Sequence, residues 1–300
     1  MTENTILTPP SSGIGQVITR FGADLLVETD HSELLRCTTR RKLEVACGDR
    51  VQWERQAQGN AAVTRLLPRR NVLERPDFRG KARAIAANID LLIVVTSWQP
   101  APVWEMLDRY LIAARRLPAD VLLVMNKADL RASHASAEAE NCLAEYVKIG
   151  YPILHVSADH QEGIGEILAA IQGRTAIVVG QSGVGKSSIA IQLLPDEVIR
   201  VGTISETGEG RHTTTSATLY RLPSGGALID SPGVRDFGLV GLDFATLQAG
   251  FPEFSPYLGE CRFNNCTHNH EPGCAIKAAA QAGAIPPRRF ARYLSLLASL

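Results

Sequence analysis

The stretch Ala176-Ile-Val-Val-Gly180-Gln181-Ser182-Gly183-Val184-Gly185-Lys186-Ser187-Ser188 decides how this 300-residue chain is read. An apolar run of strand length gives way to a glycine-rich turn of the form GxxxxGKS, and the turn opens a helix. Glycines let the backbone N–H groups from Gly183 to Ser187 turn inward around a phosphate. Lys186 reaches the β and γ oxygens, and the Ser187 hydroxyl is a ligand for Mg²⁺. Every residue from Gly180 to Ser188 is therefore a candidate for nucleotide contact. The alternative, a glycine-rich turn that binds nothing, is outweighed by the complete pattern in its strand-loop-helix context.

Downstream, Asp230-Ser-Pro-Gly233 follows the apolar run 227–229 and has the form DxxG. A carboxylate there can hold a water on Mg²⁺, and the Gly233 N–H can sense a γ-phosphate. Base choice must come from elsewhere. Upstream, Asn126-Lys127-Ala128-Asp129 closes the apolar run 121–125 with the form NKxD. The Asp129 carboxylate can accept from guanine N1–H and N2–H₂, which adenine cannot donate, while the Lys127 stem lies along the base plane. Ser157-Ala158, ending the run 153–156, is placed to give a backbone N–H to guanine O6. In an ordinary GTP-binding domain the phosphate loop comes first and the base readers follow. Here the order is reversed, which predicts a circular permutation with its joint between 161 and 175; such permutation is cheap when the original termini lie close together.

Around this core the chain divides. Residues 1–67 hold five short β-rich segments (16–19, 25–29, 34–38, 51–54 and 62–66) separated by Gly and Asp turns, a pattern of a small barrel, either OB-type or SH3-like. Residues 68–84, rich in Pro and Arg, predict a basic linker. Residues 85–236 alternate apolar strands with helices, as expected of an α/β domain with a parallel or mixed sheet covered on both faces. Residues 237–300 predict a helical segment around Cys261-Arg-Phe-Asn-Asn-Cys266-Thr-His268-Asn-His270-Glu-Pro-Gly-Cys274. Three thiolates and two imidazoles in so short a stretch point to a structural, four-coordinate zinc. A segment with little core of its own needs such a staple.

Composition excludes several classes. The chain is 45% hydrophobic and 21% charged, neither disordered nor fibrous. Apolar runs of about five residues are far short of a membrane span, and the N-terminus lacks the features of a secretory signal. A cytoplasmic protein is expected. Its 31 basic and 31 acidic residues cancel, yet the first 84 residues carry 14 basic against 10 acidic groups. Arg36, Arg40, Arg41, Lys42, Arg50, Arg65, Arg69, Arg70, Arg75, Arg79, Lys81 and Arg83, with Arg288, Arg289 and Arg292 near the end, are candidate contacts for a polyanion.

The permuted order, Ala87-Asn88-Ile89-Asp90, Gly210-Arg211-His212-Thr213-Thr214-Thr215, Asp230-Ser-Pro-Gly233-Val234 and the terminal Cys/His cluster together resemble the ribosome small subunit-dependent GTPase family (RsgA, also called YjeQ or YloQ) over essentially the whole length. The resemblance implies an N-terminal OB barrel, a permuted GTPase domain that binds GTP/GDP with Mg²⁺, and a C-terminal domain holding one Zn²⁺. It further implies GTP hydrolysis stimulated by the 30S subunit during late maturation, with 16S rRNA as a contact, in a chain expected to be a monomer. The family spacing CxxxxCxHxxxxxC selects Cys261, Cys266, His268 and Cys274 as ligands and leaves His270 spare. Within the loop carrying Thr213, Thr214 is expected to close over Mg²⁺ and His212 to position the attacking water, with Arg211 the alternative. Val234 stands where many GTPases place a Gln after DxxG, so hydrolysis is expected to be slow without a partner. The competing function is an RNA-binding assembly factor in which nucleotide is mainly structural.

Overall fold

Alternating apolar positions close the first five strands into a barrel. The computed structural model describes residues 10–22, 24–39, 43–56, 60–76, 81–194, 217–231 and 242–300. Strands β1 (Ser12–Phe21), β2 (Asp24–Thr29), β3 (Leu34–Thr39), β4 (Arg50–Arg55) and β5 (Ala61–Leu66) pair in the order β1-β2-β3-β5-β4, and β1 returns to pair β4. The β3–β5 pair is parallel and the others antiparallel, which is the connectivity of an OB barrel rather than an SH3-like one. Val17, Leu25, Val27, Cys37, Val51, Trp53 and Val63 fill the interior. Gly15 is required where β1 bends across β2, because a Cβ there would lie 2.6 Å from the Glu28 carbonyl oxygen.

The expected plain linker at 68–84 is corrected. Strands β6 (Val72–Pro76) and β7 (Ala82–Ala87) form an antiparallel pair with a bulge between Leu73 and Glu74. Side-chain hydrogen bonds anchor its base. Arg69 donates to both carboxylate oxygens of the buried Asp49, at 2.7 Å each, and to the Glu44 carbonyl at 2.7 Å. Arg70 pairs with Asp90. Asn71 donates to the Ile89 carbonyl at 2.7 Å and accepts from its N–H at 2.9 Å. None of these contacts has a periodic sequence signature.

Strands β8 (Leu91–Ser97), β9 (Asp120–Asn126), β10 (Ile153–His155), β11 (Thr175–Gly180), β12 (Thr218–Arg221) and β13 (Ala227–Asp230) form a sheet in the order β10-β9-β8-β11-β13-β12, parallel except for β12. Every residue of β8 is buried. Its Leu92 and Val94 pack with Leu107, Tyr110, Leu111 and Ala114 of α1 (Trp104–Arg116). Leu91, Ile93 and Val95 face the opposite cluster, with Ile164, Ile167 and Ile171 of α4 (Ile164–Ile171) and Ile189 and Leu193 of α5 (Lys186–Leu193). The short α2 (Arg131–His134) and longer α3 (Ala137–Ile149) complete the α1 side. The barrel joins the β12 edge through β1, where Thr19 pairs with Thr218 and Arg221 reaches Glu28 at 2.7 Å and Gln16 at 2.6 Å.

Helices α6 (Phe244–Ala249), α7 (Ala275–Gln281) and α8 (Pro287–Leu297) surround Phe251, Phe254, Ile276, Ile285, Tyr293 and Leu296. Ile112 of α1 belongs to this same cluster. A Cβ on Gly250 would sit 2.3 Å from Ile112 Cγ1, so the two lobes meet at close backbone approach. Beside this contact lies a buried ion cluster. Arg289 pairs with Asp108 of α1 and, at 2.6 Å, with Glu253. Its guanidinium carbon lies 4.5 Å from the ring centre of Phe251. Tyr146 of α3 donates to Asp108 at 2.6 Å, and Arg292 donates to the Tyr146 oxygen at 3.0 Å. Burial opposes charge on Arg289, but Asp108 and Glu253 outweigh it and raise its pKa. The sequence-based assignment of Arg289 to a polyanion surface is thus overturned. Arg288, only half-buried, donates to Cys142 Sγ at 3.0 Å and to the Glu138 carbonyl at 3.2 Å. Among the described residues no helix is long and apolar enough to cross a membrane.

Removing one member of a buried pair leaves the other charge desolvated, at a cost of about 3–5 kcal/mol, whereas apolar replacement of the whole group is often neutral. Arg289→Met should therefore lower the denaturant midpoint strongly, and adding Asp108→Leu and Glu253→Met should recover much of the loss. Equal midpoints for Arg289→Met and the parent would remove the ion cluster from the list of stabilising contacts.

Candidate nucleotide and metal sites

Parallel strands deliver their C-terminal ends to one edge of the sheet, where α/β proteins place ligands. Gly180 ends β11 at φ +148°, with its α-carbon so close to β8 that a Cβ would lie 2.1 Å from the Val95 carbonyl oxygen. Gly183 and Gly185 have φ of +80° and +90°, so the loop turns without side-chain clash before α5 starts at Lys186. Gln181 holds the loop from outside, accepting from the Val103 N–H at 2.8 Å and donating to the Ala101 carbonyl at 2.9 Å. The Lys186 ammonium donates to the Gly180 and Gln181 carbonyls at 2.8 and 2.6 Å, which keeps its charge at the loop. Val184 is buried behind it, while Ser182, Gly183 and Ser187 are exposed and Ser188 is half-buried.

The NKxD and Ser-Ala elements meet this loop through space. Asn126, buried, donates from Nδ2 to the Val184 carbonyl at 2.8 Å and accepts at Oδ1 from the Ala158 N–H at 3.2 Å. The N–H expected to serve guanine O6 is therefore engaged by Asn126. Lys127, at φ +57°, donates to the Gly183 and Gln99 carbonyls at 2.9 and 2.6 Å. Asp129 accepts from the Ser157 hydroxyl at 2.6 Å, and that bond, helped by His160 and Lys127, holds its carboxyl below the ordinary range. Asp230 lies at the end of β13. Its side chain reaches solvent, yet surrounding protein raises its carboxyl, with the Ser231 N–H and Lys186 opposing. Strand β13 runs parallel to β11, so Asp230 and the GKS loop leave the sheet at the same end. His212, Thr213, Thr214 and Gly233, with Arg211 and Val234, lie outside the described residues.

At the other lobe, Cys261, Cys266, His268 and Cys274 bring one ligand atom each to within 4.8 Å of one another. His268 Nδ1 is 3.6 Å from Cys261 Sγ and 3.4 Å from Cys274 Sγ. His270 is exposed and outside this group. The donor set fits tetrahedral zinc with no open position. Burial pushes the Cys266 thiol up to about 12, so a thiolate there needs a bound cation to be favoured. The remaining nitrogen of His268 lies 2.8 Å from the Gln248 side-chain amide, which orients the ring. Sequence reasoning missed Glu271. Its carboxylate accepts from the Thr267 N–H and hydroxyl at 2.8 and 2.7 Å and from the Asn269 and His270 N–H groups at 3.1 Å, and these bonds lower its pKa to about 2. It shapes the loop between the second and fourth ligands; a carboxylate three residues after a candidate ligand was the available signal.

The GKS loop, the NKxD and Ser-Ala elements and Asp230 at one edge of a reordered parallel sheet have the arrangement of a circularly permuted GTP-binding protein. The family model described as RsgA GTPase matches residues 66–240. The small ribosomal subunit biogenesis GTPase RsgA of Azotobacter vinelandii is 45% identical over 99% of this chain and 88% of its own length. That of Pseudomonas fluorescens is 44% identical over the same shares. Among solved structures, YjeQ from Thermotoga maritima superposes with a TM-score of 0.78 at 27% identity, covering 96% of this chain and 98% of that one. YloQ, a circularly permuted GTPase, shares the fold with a TM-score of 0.75 at 22% identity, covering 100% and 97%. The chain belongs to the RsgA GTPase family and is a GTP hydrolase.

Cys266→Ser removes one of four donors. Purified parent protein should carry one zinc per chain, and the variant should lose most of it and become more open to proteolysis after residue 242. A metal-free parent would refute the zinc assignment.

Proposed function

We propose that this GTPase acts in biogenesis of the small ribosomal subunit, binding the 30S particle and hydrolysing GTP at a rate the particle stimulates. The observation that carries the reading is the 45% identity, across 99% of the chain, to a protein named for that process. In this reading Asp129 pairs with the guanine edge and Asn126 and Lys127 frame the base. Ser157 holds Asp129, and an O6 would share the Ala158 N–H with Asn126. The residues Gly180–Ser188 wrap the phosphates, with Lys186 drawn from its two carbonyl partners toward them. Ser187 and Thr214 would hold a Mg²⁺ directly and Asp230 through water, and the ion would supply neutralisation of phosphate charge. Gly233 senses the γ-phosphate, Thr213 lines the same pocket, and His212 orients water because Val234 cannot. Zinc held by the Cys₃His set braces the C-terminal lobe. We further assign residues 1–67, 85–236 and 237–300 to barrel, GTPase and zinc domains, the last two joined through the ion cluster, in a cytoplasmic monomer.

For contact with 16S rRNA the structure favours the barrel face over the tail. Arg36 and Arg50 pair with Asp24 and Asp30 but stay 77% and 41% exposed. Exposed pairs are worth about 0–1 kcal/mol, so phosphates compete for these cations easily. Arg289, buried and doubly paired, is unavailable.

Phosphate release measured with and without 30S subunits tests the function; equal rates would overturn the stimulated-GTPase reading and favour a structural nucleotide. A bidentate contact of this kind is worth about 1–3 kcal/mol, so Asp129→Asn should weaken GTP roughly tenfold or more while leaving ATP as weak as before. Equal affinity of the parent for ATP and GTP would defeat the assignment. Lys186→Ala should abolish turnover by removing phosphate charge neutralisation.

A further inference from the structure

The loop 157–162 folds back on itself. Ser157 N–H donates to the Glu162 carbonyl at 3.1 Å and Glu162 N–H to the Ser157 carbonyl at 3.0 Å. Gly163, at φ +75°, completes the turn, and a Cβ there would meet the His155 carbonyl oxygen at 2.9 Å. This tight closure brings the His160 ring over Ser157, with Nδ1 2.9 Å from the hydroxyl oxygen and 3.8 Å from Asp129 Oδ1. Gln161 pins the outer side of the loop to α5, donating to Gln192 at 3.0 Å.

A proton inventory fixes the direction of these bonds. Asp129 is ionised and can only accept, so the 2.6 Å contact consumes the single hydroxyl hydrogen of Ser157. The hydroxyl oxygen is then only an acceptor toward His160, and Nδ1 must carry hydrogen. The chain runs His160 Nδ1–H to Ser157 Oγ, and Ser157 O–H to Asp129 Oδ1. Polarising the hydroxyl from behind strengthens its bond to the carboxylate.

We propose that His160 is a positioning residue for guanine recognition, acting through Ser157 to hold the plane of the Asp129 carboxylate. The inference rests on the assignment of Asp129 to the guanine edge. Guanine offers two donors, N1–H and N2–H₂, and rewards a carboxylate held in one plane. Inosine offers N1–H alone and tolerates a carboxylate that swivels. Loss of the His160 donor therefore penalises guanine more than hypoxanthine. A merely structural loop residue would weaken both alike or neither.

The test is calorimetric titration of the full chain with GDP and IDP. His160→Ala should reduce the GDP-over-IDP preference by about threefold or more, as expected for one net hydrogen bond. His160→Asn places an amide N–H near the position of Nδ1 and should restore the preference to within about twofold, whereas His160→Leu should not. Ser157→Ala, which breaks the chain at its middle link, should match or exceed His160→Ala. Asp129→Asn separates the two levels of inference. If it abolishes the preference while His160→Ala retains it fully, the role of His160 is refuted and the guanine assignment stands; if Asp129→Asn leaves the preference intact, both fall.

Discussion

One buried amide holds the nucleotide edge together. Asn126 touches the phosphate loop through Val184 and the Ser-Ala element through Ala158, two segments separated from it by 58 and 32 residues. It leaves no room behind itself: a Cβ on Gly185 would lie 2.2 Å from Asn126 Nδ2. Both ends of the amide are satisfied, and stranding either buried partner would cost about 1–3 kcal/mol. In a permuted chain the NKxD strand does not follow the GKS loop, so their mutual placement must be carried through space. Lys127 supplies the second tie, and its left-handed backbone lets the ammonium lie across Gly183 while the next residues turn Asp129 outward.

Helix α1 serves two cores because its faces differ. Leu107, Tyr110, Leu111 and Ala114 pack on the sheet, while Ile112 enters the C-terminal core and Asp108 meets Arg289. The chain leaves the sheet at β13, on the other side of β11 from β8 and β9, yet its last helix docks on α1 and α3. Swinging that lobe off would break the buried Asp108–Arg289 pair and expose Ile112 together with the apolar core it enters. The C-terminal lobe is thus bolted to the GTPase lobe as well as tethered to it. Tyr293 extends the connection, since its hydroxyl donates at 2.9 Å to the Thr267 carbonyl in the loop that carries the Cys/His cluster.

What was legible in the sequence was what local chemistry writes in a short window. The GKS turn, NKAD, the apolar runs of β8, β9 and β11, and the Cys/His spacing all announce themselves within a few residues, and their order exposes the permutation. The β6–β7 pair did not, because Arg69, Arg70, Asn71 and Asn88 hold it by side-chain bonds to residues 18–25 positions away. OB and SH3-like barrels could not be separated because strand composition does not reveal that β3 and β5 run parallel. Arg289 read as a surface cation for a related reason. Charge is visible in sequence, burial is not, and its partner Asp108 lies 181 residues earlier.

The turn that follows β10 is short, and that shortness has a consequence at the site. Between β10 and β11 the chain must leave the edge that carries NKxD, cover the sheet with α4 and re-enter at the opposite end of the neighbouring strands. The Ser157–Glu162 bridge makes the first reversal within six residues, and Gly163 lets α4 begin at once. A longer excursion would have freed residues 158–161 from the edge. Compression instead keeps Ala158 against Asn126, His160 against Ser157 and Gln161 against α5. The loop 157–162 therefore closes one side of the NKxD element, and its geometry is set by a single backbone reversal.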